Sequence, residues 1–427
     1  MSTRSYYLWL AAITLLAWGL RLGVTERFVG LAAPPDPADG LDQLDYELFA
    51  HHLSIGEGYT LADGTPSARR APGTSLILVP VYWLCGRSFL AARLWIISLS
   101  ALTCWAAAWV VRRWVGERAA LLTAAGAAVN PGLFYYAAHL WSEVPFGLFI
   151  TLATGFSVRS WTTGRWFDRM LAGMCWGLSL LIRPQVLFMA PFLVAALVWC
   201  RGGVRRRLFS EIAWQTAIVA ALAAPWVCRN TWVLGKPALT TLVGGHTFWG
   251  AHNARTFHDP KVRGLWITMS DIPQAPLPLP RDELEQERLA WRLGFASLRQ
   301  NWRYLPQLEA WKLYRLITPF EETANRLVYW VFAWAWMLTI PWLPLGLGEL
   351  SRRAPVLWRV IALQLAATVL CTLVFYGAAR FRHAVEPLLM MVAAAGVAAV
   401  FERRASTVPQ PSAVAATMCG NLPAERV

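Results

Sequence analysis

The stretch FLAARLWIISLSALTCWAAAWVV (Phe89–Val111) decides what kind of protein this is. A helix needs roughly 20 mostly apolar residues to cross a bilayer, and this run reaches that length before Arg112 and Arg113 close it. Similar runs recur at Tyr7–Val24, Ala119–Tyr136, Pro145–Val158, Met170–Ile182, Val186–Val198, Ile212–Val227, Leu327–Leu347, Pro355–Tyr376 and Ala384–Val400. About ten spans are therefore expected, and the short ones go with tilted or broken helices. The first reads as a retained helix, because it exceeds the core of a signal peptide and no clear small-residue cleavage site follows it.

Composition agrees. Of 427 residues, 56% are hydrophobic and 15% charged, where a soluble chain carries about a quarter charged. Tryptophan occurs 25 times, and the mean hydropathy is +0.41. The net charge of +14 does not point to nucleic acid, because the arginines fall in short loops between apolar runs. The seven cysteines form no CxxC pair and their count is odd, which argues against a disulfide framework or a zinc site.

Arginine placement sets the orientation. With Arg4 inside, alternating loops put Arg112, Arg113 and Arg118, then Arg159, Arg165 and Arg169, then Arg201 and Arg205–Arg207, then Arg352, Arg353 and Arg359, then Arg403 and Arg404 on one side. Basic loops mark the cytoplasm. The opposite side holds two large polar segments, residues 25–88 and 229–322. Loops of that size are usually functional or disordered, and their aromatic content argues against disorder. The predicted fold class is an all-α polytopic membrane protein of about ten transmembrane helices, with two large periplasmic or extracytoplasmic segments carrying short amphipathic helices. Residues 1–404 form the transmembrane domain, and residues 405–427 a disordered cytoplasmic tail.

The candidate chemistry gathers on the outer side. LDQLDYELFAHHL (Leu41–Leu53) places Asp42 to cap a short helix, puts Asp42 and Asp45 on one face, and aligns Leu44, Leu48 and Leu53 as an apolar stripe suited to a membrane surface. Spacing alone leaves a capping acid plus a solvated acid as good a reading as a catalytic pair. Arg69 and Arg70 suit a phosphate but equally a lipid headgroup. Glu143 stands alone at the bilayer edge, where ionisable groups are costly and usually functional. His139 lies four residues before it, and that residue reads better as an interfacial aromatic. Arg183, Arg229 with Asn230, and Arg380 with Arg382 each sit where an outer loop meets a span.

Five stretches in order carry a family resemblance: D-x-x-x-Y-x-x-x-A (Asp42, Tyr46, Ala50), R-x-P-G (Arg70, Pro72, Gly73), S-E-x-P (Ser142, Glu143, Pro145), P-W-x-x-R-N followed by G (Pro225, Trp226, Arg229, Asn230, Gly235), and R-F-R with a later Pro (Arg380, Phe381, Arg382, Pro387). Together they resemble the polytopic GT-C glycosyltransferases that use a polyprenyl-phosphate sugar donor, such as the lipid A aminoarabinose transferases and the protein O-mannosyltransferases. The resemblance spans nearly the whole chain. It implies transfer of a sugar to an acceptor hydroxyl of a lipid, glycan or protein at the outer face of a bacterial plasma membrane. Asp42 is the implied catalytic acid, with Asp45 second. Arg69, Arg70, Arg229, Arg380 and Arg382 are implied at the donor phosphate, with Tyr46, Glu143, Arg183 and Asn230 nearby. A divalent metal ion stays open as a cofactor, with Asp42 and Glu143 as its candidate ligands. Where some relatives carry an acid and a lysine before the proline, this chain has Arg69 and Arg70, so position 69 cannot ligate a metal. The rival reading is a transporter or lipid flippase. Such a protein would carry its charges near the bilayer midplane and show repeat symmetry, whereas here the charges collect at one face.

Overall fold

The computed structural model describes residues 2–407 apart from 274, 277, 281 and 320–325. From the N-terminus come α1 (Thr3–Phe28), α2 (Leu41–Ser54), α3 (Gly73–Cys85), α4 (Phe89–Val115), α5 (Glu117–Val129), α6 (Pro131–Ala137), α7 (Glu143–Thr163) and α8 (Trp166–Ile182). Next are α9 (Ala190–Trp199), α10 (Gly202–Leu234), α11 (Gly244–Ala251), α12 (Ala254–His258), α13 (Glu283–Asn301) and α14 (Leu305–Ile317). The chain closes with α15 (Arg326–Thr339), α16 (Trp342–Arg353), α17 (Pro355–Val374), α18 (Ala379–His383) and α19 (Glu386–Thr407). Among the described residues no strand forms, only an isolated bridge between Thr60 and Pro66. The part of the predicted tail beyond Thr407 lies outside the described residues.

Each apolar run falls on helix. The α1, α4, α10 and α17 helices are individually long and apolar enough to cross a membrane, and α15 with α16, bent by 42° between them, makes a fifth. The other runs fall on helices that are shorter or less uniformly apolar. Two details differ from the expectation. The run Ala119–Tyr136 is broken, because Asn130 caps α6, its Oδ1 accepting from the Leu133 N–H at 3.0 Å, and Pro131 starts the new helix. The first outer segment also contains an apolar helix, α3, with Pro80 inside it.

The core sits where α4, α5, α7, α16, α17 and α19 meet, around Val110, Phe146, Ile150, Ile361, Leu388 and Met391. The most apolar stretch of α4 is 61% buried against 22% for α1 and 17% for α10. So α4 is the central post, and α1 and α10 leave most of their surface exposed. Small residues bring α16 against α19: a Cβ on Gly346 would meet the Val392 carbonyl oxygen, and one on Gly396 would lie 2.5 Å from the Trp342 oxygen. Arg21 is fully buried, and no ion pair joins it to a carboxylate among the described residues. Its guanidinium donates to Ser100 Oγ at 2.7 Å and to the Ala127 and Ala128 carbonyls at 3.0 and 3.1 Å, the negative end of the α5 dipole.

The layer expected outside the membrane comprises α2, the turn Tyr59–Arg70, α11–α14 and α18. Glu283, at the start of α13, accepts from Ser67 Oγ at 2.5 Å and the Ala68 N–H at 3.0 Å, which ties the second outer segment to the turn that carries Arg69 and Arg70. Lys312 of α14 is fully buried. Its Nζ reaches Glu309 Oε1 at 2.8 Å, His252 Nε2 at 2.9 Å and the Leu373 carbonyl at 2.7 Å, joining this layer to the end of α17. Burial pushes the Lys312 ammonium down to about 8 against the pull of Glu309.

Candidate active site

The α2 helix starts abruptly after Gly40, whose φ of +120° is readily open only to glycine. Asp42 does not cap it, contrary to the expectation. It lies in the first turn with no capping bond, because two guanidiniums claim its carboxylate. Arg70 Nη2 sits 2.7 Å from Oδ1 and Arg380 Nη1 2.7 Å from Oδ2. One helical turn on, Asp45 Oδ2 accepts from Arg70 Nε at 2.8 Å and faces Arg69 Nε at 3.4 Å. The shared face of Asp42 and Asp45 is thus a cradle for one arginine. Leu44, Leu48 and Leu53 are only half-buried, while the buried stripe of α2 runs through Gln43, Tyr46, Glu47, Phe49, Ala50 and His52.

Glu143 opens α7, where the helix dipole favours an acid. It accepts from Arg183 Nη1 at 2.5 Å and from Arg380 Nε. Arg183 ends α8 in extended conformation ahead of Pro184 and also donates to Ser142 Oγ at 3.2 Å. Arg380 lies at the second position of α18, its guanidinium 5.2 Å from the Trp141 ring centre. It therefore bridges Asp42 and Glu143, the two candidate metal ligands. As folded, these carboxylates hold a guanidinium between them and do not fit a divalent ion. Among the described residues no three His, Cys, Asp or Glu side chains gather as a metal site.

Burial alone would raise the Asp42 carboxyl, but Arg380 and Arg70 overcome it and hold the group below the usual carboxylate range. Reciprocally, burial opposes the charge on Arg380, and Glu143 and Asp42 more than restore it. Tyr46 is buried beside this cluster with its hydroxyl near Ser142, and burial, then Asp42, raise it. Asp42 keeps 23% of its side chain exposed.

The other candidates stand back. Arg229 donates to the Ser67 carbonyl at 2.6 Å and the Tyr59 carbonyl at 2.7 Å, and Asn230 Nδ2 to the Ala238 carbonyl at 3.0 Å. Both brace loops rather than face the carboxylates. Arg382 donates to the Leu316 and Thr318 carbonyls at 3.0 and 2.7 Å and lies 4.5 Å from the Trp336 ring centre. His139 stacks on Trp141 at 4.6 Å, as an interfacial aromatic would. One residue was not singled out beforehand: His246 of α11, which burial, then Arg69 and Arg70, lower to about 4. Nothing local marks it, because α11 reaches the arginines only through folding of the second outer segment.

The described residues thus form an all-helical bundle with arginines and carboxylates collected at one end. Residues 69–228 match the model of a family described as dolichyl-phosphate-mannose-protein mannosyltransferase. The structure is similar to an oligosaccharyltransferase of Archaeoglobus fulgidus in its apo form, at 12% identity and a TM-score of 0.59, over 94% of this chain and 51% of that one. It is similar as well to AglB of the same organism in complex with an inhibitory peptide and a dolichol-phosphate, at 11% identity and 0.57, over 100% and 53%. ArnT of Cupriavidus metallidurans bound to undecaprenyl phosphate aligns at 15% identity and 0.46, over 96% and 82%. The chain thus spans about half the length of the archaeal enzymes. No curated protein matches the sequence. The family match is confined to residues 69–228, and the archaeal structures share the fold.

Proposed function

We propose that this protein moves a sugar from a polyprenyl-phosphate donor to an acceptor hydroxyl at the extracytoplasmic face of a bacterial plasma membrane, with Asp42 as general base. The observation that carries this reading is the double hold on Asp42 by Arg70 and Arg380, two arginines far apart in the chain. By formal count, Arg69, Arg70, Arg183 and Arg380 against Asp42, Asp45 and Glu143 leave one positive charge in excess. That excess complements the single negative charge of a sugar phosphodiester.

The chemistry follows from exchanging partners. As the anomeric C–O bond breaks, the diester becomes a phosphate monoester whose charge approaches about −2. Guanidiniums that leave the carboxylates for this oxyanion stabilise the charge as it develops. The same exchange releases Asp42, which is a weak base while doubly held, when the acceptor hydroxyl must lose its proton. The acceptor oxygen bonds to the anomeric carbon opposite the departing phosphate, so the configuration inverts. The proton passes to Asp42, and the phosphate leaves on its lipid, whose tail stays in the bilayer. On the reading of about ten spans with residues 25–88 and 229–322 outside, which the arginine loops support, this cluster lies at the outer surface. Arg229 holds the turn that presents Arg69 and Arg70, Asn230 accepts from Arg229 and braces the Ala238 loop, Arg382 steadies α18, and Tyr46 closes the cluster behind Asp42.

Purified protein incubated with a panel of polyprenyl-phosphate sugars tests this reading through release of the lipid phosphate. Asp42→Asn is expected to lower turnover about 10²- to 10⁴-fold, the usual worth of a general base. The variant should fold, because Arg70 keeps Asp45 and Arg380 keeps Glu143. Wild-type turnover by the variant would remove Asp42 from the reaction.

A further inference from the structure

A second site lies at the other end of α4 and α7. A cavity of about 190 Å³ is lined by Trp109, Val110, Arg113, Trp114, Gly155 and Arg159. At about 1.5 Å per residue, Gly155 lies roughly 18 Å along α7 from Glu143, so the cavity is remote from the Asp42 cluster. Gly155 shapes one wall: a Cβ there would fall 2.3 Å from the Trp109 ring.

The lining is divided by chemistry. Trp109, packed on Phe156 at 5.0 Å, and Trp114 supply apolar surface. Arg159 pairs through Nη2 with Asp168 at 3.1 Å, but its Nε is buried and has no hydrogen-bond partner among the described residues. Arg113 is exposed and lies 5.6 Å from the Trp114 ring centre, with no carboxylate paired to it among the described residues. A buried charged donor left unmade costs more than an ordinary hydrogen bond returns, so the Arg159 Nε is a donor free to take an acceptor. Two cations beside tryptophan faces suit an anion attached to hydrocarbon, and basic pockets between helices hold anionic lipid headgroups in this way.

We propose that this cavity binds the phosphate headgroup of an anionic phospholipid, with its acyl chains along Trp109 and Phe156. The site rests on the membrane-spanning fold and not on the transfer reaction. On the arginine-based orientation it faces the cytoplasmic leaflet, opposite the donor.

Thermal unfolding of the full chain in detergent, with added phosphatidylglycerol, phosphatidylcholine or inorganic phosphate, tests the proposal. Phosphatidylglycerol should raise Tm in wild type, and the other two should not. Arg113→Gln should leave the lipid-free Tm unchanged and weaken the apparent affinity for phosphatidylglycerol about fivefold, the usual worth of one basic residue at a lipid surface. Arg159→Lys, which keeps a charge for Asp168 but lacks the Nε donor, should weaken it as well. An undiminished phosphatidylglycerol response in both variants overturns the proposal. So does an equal response to phosphatidylcholine, which would be general solvation, or to inorganic phosphate, which would be a free-anion site. Asp42→Asn should bind phosphatidylglycerol as wild type does, so loss of the transfer reading and loss of this site give different results.

Discussion

In the resting fold Asp42 accepts from Arg70 and Arg380 at once, and a carboxylate held this way has little appetite for a proton. Its basicity depends on where Arg380 goes when an anion arrives. Only a fork can serve Asp42 through Nη1 and Glu143 through Nε together. A lysine offers a point charge at one place. Arg380→Lys is therefore expected to cut kcat roughly 10²-fold at saturating donor even though the charge is kept, and wild-type kcat would dismiss the bridge as incidental. The sequence offered Asp42 and Asp45 by their spacing and Arg70, Glu143, Arg183 and Arg380 by their loop positions and the family resemblance, six residues that the fold brings together. It could not tell Arg380 from Arg229. Both stand at the junction of a loop and a helix, but Arg229 meets the Ser67 and Tyr59 carbonyls and Arg380 meets carboxylates. That difference arises only once distant segments pack.

Among the elements, the tightest seam is that of α16 on α19, where Gly346 leaves no room for a side chain below the Val392 carbonyl. Gly346→Leu should force these helices apart and cost about 1–3 kcal/mol or more, read as a lower Tm and less folded protein in detergent. An unchanged Tm would show that the seam yields. In the outer layer, Lys312 joins α14 to the end of α17, five residues before α18 begins. Its folded pKa of about 8 lies below that of a free lysine, so between about pH 8 and 10 the unfolded chain holds the extra proton. Stability from this group therefore rises with pH across that window. Lys312→Met should flatten the rise in Tm between pH 8 and 10, and parallel curves for variant and wild type would refute the assignment. The helices themselves were largely legible, since a run such as Phe89–Val111 admits few alternatives. The α3 helix was not, because 13 residues with an internal proline fall short of a span, and only its packing beside α2 and α4 shows why it is helical. The break at Asn130 was likewise hidden inside an apolar run that reads as continuous.

For the whole molecule, the arginine loops imply that Asp63 and Arg205 lie on opposite sides of the membrane. Both residues are exposed in the structure. On intact cells, a membrane-impermeant thiol reagent should label Asp63→Cys above the native background and leave Arg205→Cys unlabelled until the membrane is opened. Reversed labelling would invert the orientation. The cluster also bears on how the protein is made. Arg380 lies 237 residues after Glu143, so the ribosome delivers the carboxylates long before the cation that joins them. Until α18 is synthesised, Asp42 and Glu143 have their own arginines, Arg70 and Arg183, but no guanidinium shared between them, so a nascent chain stopped before α18 holds two halves of the cluster unjoined. The two halves of the cluster are therefore joined only after α17 has been made.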